Sequence, residues 1–386
     1  MNTTANASVG FDVIVIGAGI AGASLAHWLS PHARVLLLER ESQPGYHATG
    51  RSAALYMASY GPPQVQALTR ASLAFYENAP DGFSEHPLLS ARGALMVATA
   101  DQLPALEAHW SMLAPINPKA MRLTAEQAIA RVPALRPDQV AAAVYEPDAA
   151  DMDVNAIHQG FLRTLRRHGG QLVCDAGVLG LHRADDLWWV RTRSQSWSAP
   201  VVVNAAGAWA EEVAHLAGAR SIGLVPKRRS AFVFAASGGL DIAHWPLVFG
   251  VGEDWYIKPD AGLLLGSPAN ADPVPPQDVQ PEAMDIAVAI ERIESMTTLT
   301  VSRPLRTWAG LRSFVTDDGL VGGFDGQAEG FFWLAGQGGY GIQTAPAMGE
   351  ACAALLRGQA LPAHLQAQGL TPEMLSPSRP GLFPHS

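Results

Sequence analysis

Cysteine is almost absent from this chain, because only two of its 386 residues are cysteine, Cys174 and Cys352. They stand far apart and belong to no CxxC or Cys–His pattern, which excludes a disulfide framework and a structural zinc site. A chain without disulfides is typical of a reducing compartment. We therefore expect a cytoplasmic protein that holds no metal ion.

Long hydrophobic runs are also missing. No stretch reaches the roughly 18 apolar residues that a membrane-spanning helix needs. The first ten residues lack the basic and apolar regions of a signal peptide. We expect no transmembrane segment, and at most a peripheral association with the inner face of the membrane.

Basic charge is in short supply, with 26 lysines and arginines against 35 acidic residues and a net charge of −9. This balance opposes a broad phosphate-binding surface, so we expect no nucleic-acid partner. Hydrophobic residues make up 48% of the chain and charged residues 16%, a composition that supports a large folded core. A chain of this length predicts two structural domains.

The strongest pattern lies near the N-terminus. An apolar run at residues 11–16 precedes a glycine-rich turn at 17–22, a helix-compatible stretch at 21–29 and a second apolar run at 34–38. This order predicts a βαβ unit.

Gly17, Gly19 and Gly22 complete a GxGxxG pattern in this unit, and Glu39 ends the second strand. The first glycine permits a tight turn, the second lets a pyrophosphate approach the backbone, and the third lets helix and strand pack closely. The acidic residue accepts hydrogen bonds from ribose hydroxyls. The spacing predicts a dinucleotide-binding site.

Two further segments favour FAD over NAD. ERESQPGYHATGRSAA, from Glu39 onward, supplies small and hydroxyl residues that would run along an extended dinucleotide. The late loop AGQGGYGIQTAP starts a predicted helix, whose N-terminus would stabilise negative charge on a reduced flavin. We therefore predict FAD as the cofactor.

The remaining patterns predict strands at residues 201–209, 230–234, 255–258, 263–265 and 331–335, and helices at 151–169, 282–295 and 342–356. The segment from Gln359 onward carries five prolines and predicts an extended tail. The order of elements suggests that the chain leaves the dinucleotide domain after its first part and later returns to it.

Several segments, most of them outside the fingerprint, resemble one family in combination: VIVIGAGIAGAS, ERESQPGYHATGRSAA, PVVVNAAGAWA, LVPKRRSAFVF, YIKPDAGLLLGSPANADP, TWAGLRSF and GQGGYGIQTAPAMGE. They look like the D-amino-acid oxidase superfamily of FAD-dependent enzymes, and most closely the bacterial D-arginine dehydrogenases. The resemblance covers about residues 10–378.

The resemblance implies an α/β (overall α+β) protein, in which a Rossmann-like FAD domain is interleaved with a substrate domain of antiparallel sheet plus helices. We expect the FAD domain at residues 10–61, 145–222 and 320–358, the substrate domain at 62–144 and 223–319, and the tail at 359–386. It also implies non-covalent FAD, bound by Gly17, Gly19, Ile20, Ala21, Gly22, Glu39, Arg40, Ala48, Thr49, Gly50, Arg51, Ser52, Ala53, Ala54, Val178, Ala206, Gly207, Trp209, Gly310, Gly338, Gly339, Tyr340, Gly341, Ile342, Gln343 and Thr344.

The implied reaction is the oxidative deamination of a D-amino acid. A hydride leaves the substrate Cα for flavin N5, and the resulting imino acid hydrolyses to a keto acid and ammonia. The implied electron acceptor is a quinone or another carrier other than oxygen. The sequence does not separate such a dehydrogenase from an oxidase that uses O2, and a secondary-amine oxidase acting on sarcosine or cyclic imino acids stays open as a second alternative. A non-catalytic flavoprotein or an NAD-binding regulatory module is disfavoured, because such a protein needs neither carboxylate-binding arginines nor the second glycine loop.

Two arginines in strand-like settings are candidates for binding the substrate carboxylate, since a planar guanidinium matches its two oxygens. These are Arg312 and one of the adjacent pair Arg228 and Arg229, which strand periodicity places on opposite faces. The resemblance selects Arg229. It also implies that Tyr60 and Tyr256 contact the substrate and that the Gly339 carbonyl holds its amine.

Nearby residues complete this interpretation. We expect residues 57–64 to form a lid over the flavin. His47 is interpreted as a cofactor-loop residue, and no side chain is assigned as a general base.

The sequence departs from D-arginine dehydrogenase where that family recognises the substrate side chain. The family has a glutamate where this chain has Ala94, and a histidine where it has Leu55. Without these groups a guanidinium would stay unpaired in a dry pocket. We therefore expect a preference for neutral or hydrophobic D-amino acids. D-arginine or D-lysine oxidation stays open as an alternative, because Glu85 lies nearby in the sequence.

Overall fold

The computed structural model describes residues 10–382. The expectation for the first ten residues falls almost wholly on residues 1–9, outside this range. Strands β1 to β21 span, in chain order, Val13–Ile16, Val35–Leu38, Leu55–Tyr56, Leu89–Ala91, Ala94–Ala98, Met121–Thr124, Ala142–Glu146, Ala150–Met152, Gln171–Val173, Gly180–Ala184, Leu187–Arg191, Ser196–Ala199, Val201–Asn204, Val225–Phe234, Leu247–Gly250, Tyr256–Asp260, Leu263–Ser267, Asp272–Pro273, Arg306–Phe314, Val321–Phe324 and Phe331–Ala335.

Helices connect and cover these strands. Helices α1 to α10 span Ile20–Leu29, Pro63–Glu77, Leu103–Leu113, Ala125–Arg131, Val154–Arg167, Ala210–Ala217, Ala283–Met296, Gly341–Leu356, Ala363–Gln366 and Pro372–Leu375. Short 3₁₀ helices occur at Ala100–Gln102 and Gly207–Trp209. No helix within residues 10–382 is long and apolar enough to cross a bilayer, and in that range no three potential metal ligands come together.

A six-stranded sheet with the order β20-β21-β13-β1-β2-β9 is parallel except for β20. Its central strands are short, apolar and buried on both faces, as expected for a parallel sheet covered by helices. The register pairs Ile16 with Leu38 and with Asn204, and Asn204 with Trp333. The carboxyl ends of four strands therefore meet at one edge, where such folds bind ligands.

The second large sheet has nine strands. Their order is β18-β14-β17-β16-β15-β5-β7-β6, and β19 pairs with β14. All of its pairs are antiparallel except β5 with β15. Strands β14 and β19 pair from Val225 opposite Phe314 to Val233 opposite Arg306. The combination of a parallel sheet flanked by helices with this mostly antiparallel sheet confirms the predicted fold class.

Strand β13 is shorter than predicted. It ends at Asn204, and residues 205–209 form a turn and a 3₁₀ helix instead of continuing the strand. The Asn204 side chain donates to the Ala210 carbonyl and accepts from the Ala206 amide, and Gly207 has φ +57°. These local bonds turn the chain despite its apolar composition.

The expectation of an extended C-terminal tail was wrong for the described part of that segment, which contains α9 and α10. Its leucines at 361, 365, 370, 375 and 382 are buried. Arg379 forms an ion pair with Asp317 and donates to the Leu320 carbonyl. Burial of these leucines outweighs the extended bias of the prolines.

His27 on α1 is buried among the rings of Phe75, Phe83 and Phe161. Burial lowers its pKa to about 4, and His168 adds a smaller effect. His27 therefore takes up a proton near pH 6.5 in the unfolded chain but only near pH 4 in the folded chain. The contribution of neutral His27 to the free energy of unfolding is complete above pH 6.5 and is lost as the pH falls toward 4. Between pH 7 and 5 we expect a loss of about 2 kcal/mol from this group.

The measurement is urea unfolding across this pH range for the wild type and for His27→Leu, whose stability should depend less on pH. Exposed His32→Gln is the matched control, since it lies just beyond the same helix. An equally steep pH dependence in His27→Leu would contradict the assignment.

Candidate active site

The glycine turn after β1 lines a cavity of about 410 Å³ at the carboxyl edge of the six-stranded sheet. Gly17 has φ +105°, and a Cβ there would overlap the carbonyl oxygen of Ala205. A Cβ on Gly22 would overlap the carbonyl oxygen of Gly17 and separate α1 from the turn. Only glycine fits these two positions, so the backbone itself forms the cavity wall.

Glu39 stands at the carboxyl end of β2 and lines the same cavity. Its carboxylate accepts from the amides of Ala18 and Glu41, both at 3.0 Å. Burial raises the pKa of this carboxyl, while the backbone hydrogen bonds oppose the shift. A buried carboxylate fixed beside a glycine turn is suited to ribose hydroxyls.

The second glycine loop joins β21 to α8 and suits a flavin. Gly338 has φ +50° and donates its amide to the Ser313 carbonyl at 2.9 Å. The side-chain nitrogen Nε2 of Gln337 is buried and has no hydrogen-bond partner within the described residues. Because an unpaired buried donor is costly, this amide indicates a ligand acceptor at this point.

A second cavity, of about 230 Å³, adjoins the first. Six residues line both, namely Ile20, Ala48, Thr49, Leu311, Gln337 and Gly338. A ligand that starts at the first glycine turn can therefore extend into the second cavity, as FAD requires.

Most residues expected to bind the cofactor line one cavity or the other: Gly17, Gly19, Ile20, Ala21, Glu39, Arg40, Ala48, Thr49, Arg51, Ser52, Ala53, Ala54, Val178, Ala206, Gly207, Trp209, Gly310, Gly338, Gly339, Gly341 and Ile342. Gly22, Gly50, Tyr340, Gln343 and Thr344 line neither cavity. They support the walls instead: Gln343, for example, donates to Thr69 and accepts from the Met57 amide.

Some lining residues were not anticipated. Ala176, Gly177 and Ala205 line the first cavity beside the expected Val178 and Ala206, and Gln337 lines both cavities. His47, interpreted from sequence only as a loop residue, also lines the first cavity and bonds Glu41 at 2.9 Å. The small residues that follow β9 and β13 are the sequence signal that predicts such a wall.

Arg229 and Arg312 enter the second cavity from the paired strands β14 and β19. Arg229 lies opposite Gly310, which leaves room above the sheet. Arg229 Nε donates to the Asn270 carbonyl at 2.6 Å, and Arg312 donates to the Tyr60 hydroxyl at 3.0 Å. A Cβ on Gly339 would overlap the Arg312 guanidinium, so a side chain at this position would displace that guanidinium.

The adjacent arginines of β14 lie in different surroundings, as strand periodicity predicts. Arg228 forms ion pairs with Asp272, Glu282 and Asp285 and does not line the cavity. Arg229 has no carboxylate partner among the described ion pairs. Burial lowers its pKa to about 10, with the nearby Arg312 charge as the second cause. It stays protonated at neutral pH, so the cavity holds two cations ready for an anion.

The rest of the second cavity is mainly apolar. Its wall includes Leu55, Met57, Ala231, Leu247, Phe249, Trp255, Ala269 and Trp308. Tyr60 and Tyr256 line it as well.

Ala94 was expected to line the pocket, but it does not. It is buried on β5 beside Leu247 of β15, and its single methyl group does not reach the cavity that Leu247 lines. Glu85 is exposed and also lies outside the wall. The acidic residue that does line the cavity is Glu253, which reasoning from the sequence missed. It sits in a turn with φ +50°, three residues before Tyr256.

Comparison with known proteins agrees with this geometry. The family described as FAD dependent oxidoreductase (DAO) matches residues 12–355. The chain is 24% identical over 420 residues to FAD-dependent oxidoreductase domain-containing protein 1 of Bos taurus, covering 95% of this chain and 84% of that protein.

Solved structures share the fold. Glycine oxidase from Geobacillus kaustophilus superposes with a TM-score of 0.79 at 21% identity, covering 90% of this chain and 95% of the other. L-proline dehydrogenase from P. horikoshii superposes with a TM-score of 0.79 at 22% identity, covering 92% and 95%. The protein therefore belongs to the FAD dependent oxidoreductase (DAO) family and uses FAD.

Proposed function

We propose that this protein is an FAD-dependent dehydrogenase that deaminates D-amino acids with neutral or hydrophobic side chains. The observation that carries the proposal is the second cavity, where two partly buried arginines, a mainly apolar wall and the second glycine loop meet. An amino acid offers one anionic end and one apolar end to match the arginines and the wall. The D-configuration and the likeness to D-arginine dehydrogenase rest on the motifs of the sequence.

In this proposal the substrate carboxylate lies between Arg229 and Arg312, where it relieves the repulsion between two partly buried cations. Tyr60, already bonded to Arg312, and Tyr256 contact the same carboxylate. The carbonyl of Gly339 accepts a hydrogen bond from the substrate amine. These contacts fix the Cα–H bond in one direction.

FAD held along the two glycine loops would supply the electron acceptor for the hydride that leaves Cα. The residues described in the second cavity include no histidine, so the wall supplies no imidazole base. The substrate amine must therefore lose its proton before hydride transfer, and activity should rise with pH. The apolar wall excludes water during the transfer, and the imino acid product hydrolyses to a keto acid and ammonia after release. The proposed acceptor is a quinone or another carrier other than oxygen.

Anaerobic mixing of the FAD-loaded protein with D- and L-amino acids tests the proposal, with the loss of flavin absorbance as the readout. We expect D-leucine, D-methionine and D-phenylalanine to reduce the flavin, and their L-forms not to. D-arginine should react at least about tenfold less efficiently, because an unpaired charge in the apolar wall costs about 1.5 kcal/mol or more. Reduction by sarcosine or L-proline alone would refute the proposal.

One observation favours a second candidate, the oxidation of basic D-amino acids. Glu253 is the acidic side chain on the wall and is partnered by no arginine or lysine among the described ion pairs. If it binds a basic head group, Glu253→Gln should lower the efficiency with D-arginine roughly tenfold and leave that with D-leucine unchanged. Glu85→Gln is the matched control, because Glu85 is exposed and lies outside both cavities.

A further inference from the structure

The segment that carries Tyr60, residues 57–61, is tied down at several points. The Met57 amide donates to Gln343 at 3.3 Å. Gln66 Nε2 donates to the carbonyls of Ser59 and Gly61, both at 2.9 Å. These bonds restrain the main chain of the segment. One further hydrogen bond, from the Ser59 side chain, restrains the turn between Met57 and Gly61.

The partner of Ser59 is Glu146, the last residue of β7. The Ser59 hydroxyl donates to its carboxylate at 2.7 Å, and Asn117 Nδ2 donates to the other oxygen at 3.3 Å. Glu146 is 3% exposed. Burial raises the pKa of this carboxyl, and the two hydrogen bonds oppose that shift.

A buried carboxyl of this kind is costly. The ion pairs of residues 10–382 include no lysine, arginine or histidine bonded to Glu146. Without a cation, the desolvation of the group is offset only by hydrogen bonds from neutral donors. An apolar residue at this position would avoid the desolvation cost. We therefore look for the role of this carboxyl in the groups that it binds, Ser59 and Asn117.

The hydrogen bond between Ser59 and Glu146 lies next to the substrate cavity. Glu146 lies directly opposite Ala94 across the β5–β7 pair, and Ala94 lies beside Leu247 of the cavity wall. Paired residues project from the same face of a sheet. Glu146 therefore lies behind the wall without lining it, and it reaches the site only through Ser59.

We propose that Glu146 is a positioning residue, which fixes residues 57–61 through the Ser59 hydroxyl so that the Tyr60 hydroxyl meets Arg312 over the substrate cavity. The purpose of this alignment rests on the proposed function, in which Tyr60 and Arg312 hold the substrate carboxylate. The alignment itself does not depend on which substrate is used.

Hydrogen–deuterium exchange of the FAD-loaded protein, without substrate, tests the alignment. In Ser59→Ala the amides of Met57 and Tyr60 should exchange about tenfold faster, because the hydrogen bond from Ser59 to the Glu146 carboxyl is lost. Glu146→Gln should exchange more slowly than Ser59→Ala does, because its amide oxygen still accepts from Ser59 and only the bond from Asn117 is lost. Asp148→Asn is the matched control, since Asp148 lies two residues away and pairs with Lys119 on the surface.

Steady-state kinetics with D-leucine supplies the second readout. Ser59→Ala should raise KM about tenfold and change kcat much less, and Glu146→Gln should keep KM closer to that of the wild type. Unchanged exchange in Ser59→Ala would overturn the proposal, and so would faster exchange with an unchanged KM. If the wild type oxidises no D-amino acid, the proposed function fails, and the exchange result alone decides whether Glu146 positions the segment.

Discussion

Replacing Arg229 with methionine is expected to lower kcat/KM for the preferred amino acid roughly 10²- to 10³-fold. The substrate carboxylate would then lie in the cavity with one of its two cationic partners removed, which costs about 3 to 4 kcal/mol. Methionine keeps the apolar stem and approximate length, so the wall stays filled. Stopped-flow reduction of the flavin over a range of substrate concentrations measures the effect.

Two controls sharpen this prediction. Arg229→Lys should recover part of the loss, because an ammonium keeps the charge but not the planar pair of donors. Arg306→Met removes an exposed arginine from β19, the strand that carries Arg312, and should leave kcat/KM unchanged. Full activity in Arg229→Met would remove the carboxylate-binding role from the site.

Gly17→Ala is expected to yield a protein purified without FAD. The added Cβ would overlap the Ala205 carbonyl oxygen, and φ +105° is strained for any side chain. Because the turn must shift away from the pyrophosphate position, we expect FAD affinity to fall about a hundredfold or more, equivalent to about 3 kcal/mol. The absorbance ratio of flavin to protein and titration of the apoprotein with FAD measure it.

Gly218→Ala is the matched control, because it introduces backbone strain from a positive φ without an overlap of the added Cβ. Gly218 also has positive φ, at +65°, but a Cβ there meets nothing within 4 Å. It should cost about 1 kcal/mol of stability and leave FAD occupancy full. If Gly17→Ala retains a full complement of FAD, the turn does not contact the cofactor as inferred.

The first βαβ unit was predictable because local sequence determines it. The predicted helix at residues 21–29 begins one residue after α1 does, and the predicted strand at 331–335 coincides with β21. In both regions the apolar period and the glycine turns agree, and the cofactor follows from the same pattern. Belonging to the FAD dependent oxidoreductase family confirms that cofactor.

The failures come from contacts, local in one case and distant in sequence in the others, that the apolar pattern does not encode. Asn204 ends β13 through hydrogen bonds of its own side chain, and the C-terminal leucines find buried sites that proline content does not reveal. Ala94 and Glu253 show the same limit in the candidate site, because strand pairing and a turn with positive φ decide which of them lines the cavity. The roles of the substrate-binding residues stay predictions.

The docking of Arg379 has a consequence for when the protein becomes functional during its synthesis. Arg379 holds the Leu320 carbonyl, and Gln64, just beyond the Tyr60 segment, donates to the Leu320 and Met374 carbonyls. Strand β1 likewise gains its neighbour β13 only after some 180 intervening residues have been translated. During synthesis, β1 and the region around Gln64 therefore lack their partners until the later segments have been translated. Gly338 lines both cavities, so neither cavity is complete before residue 338 has been translated, and the contacts of Arg379 form later still.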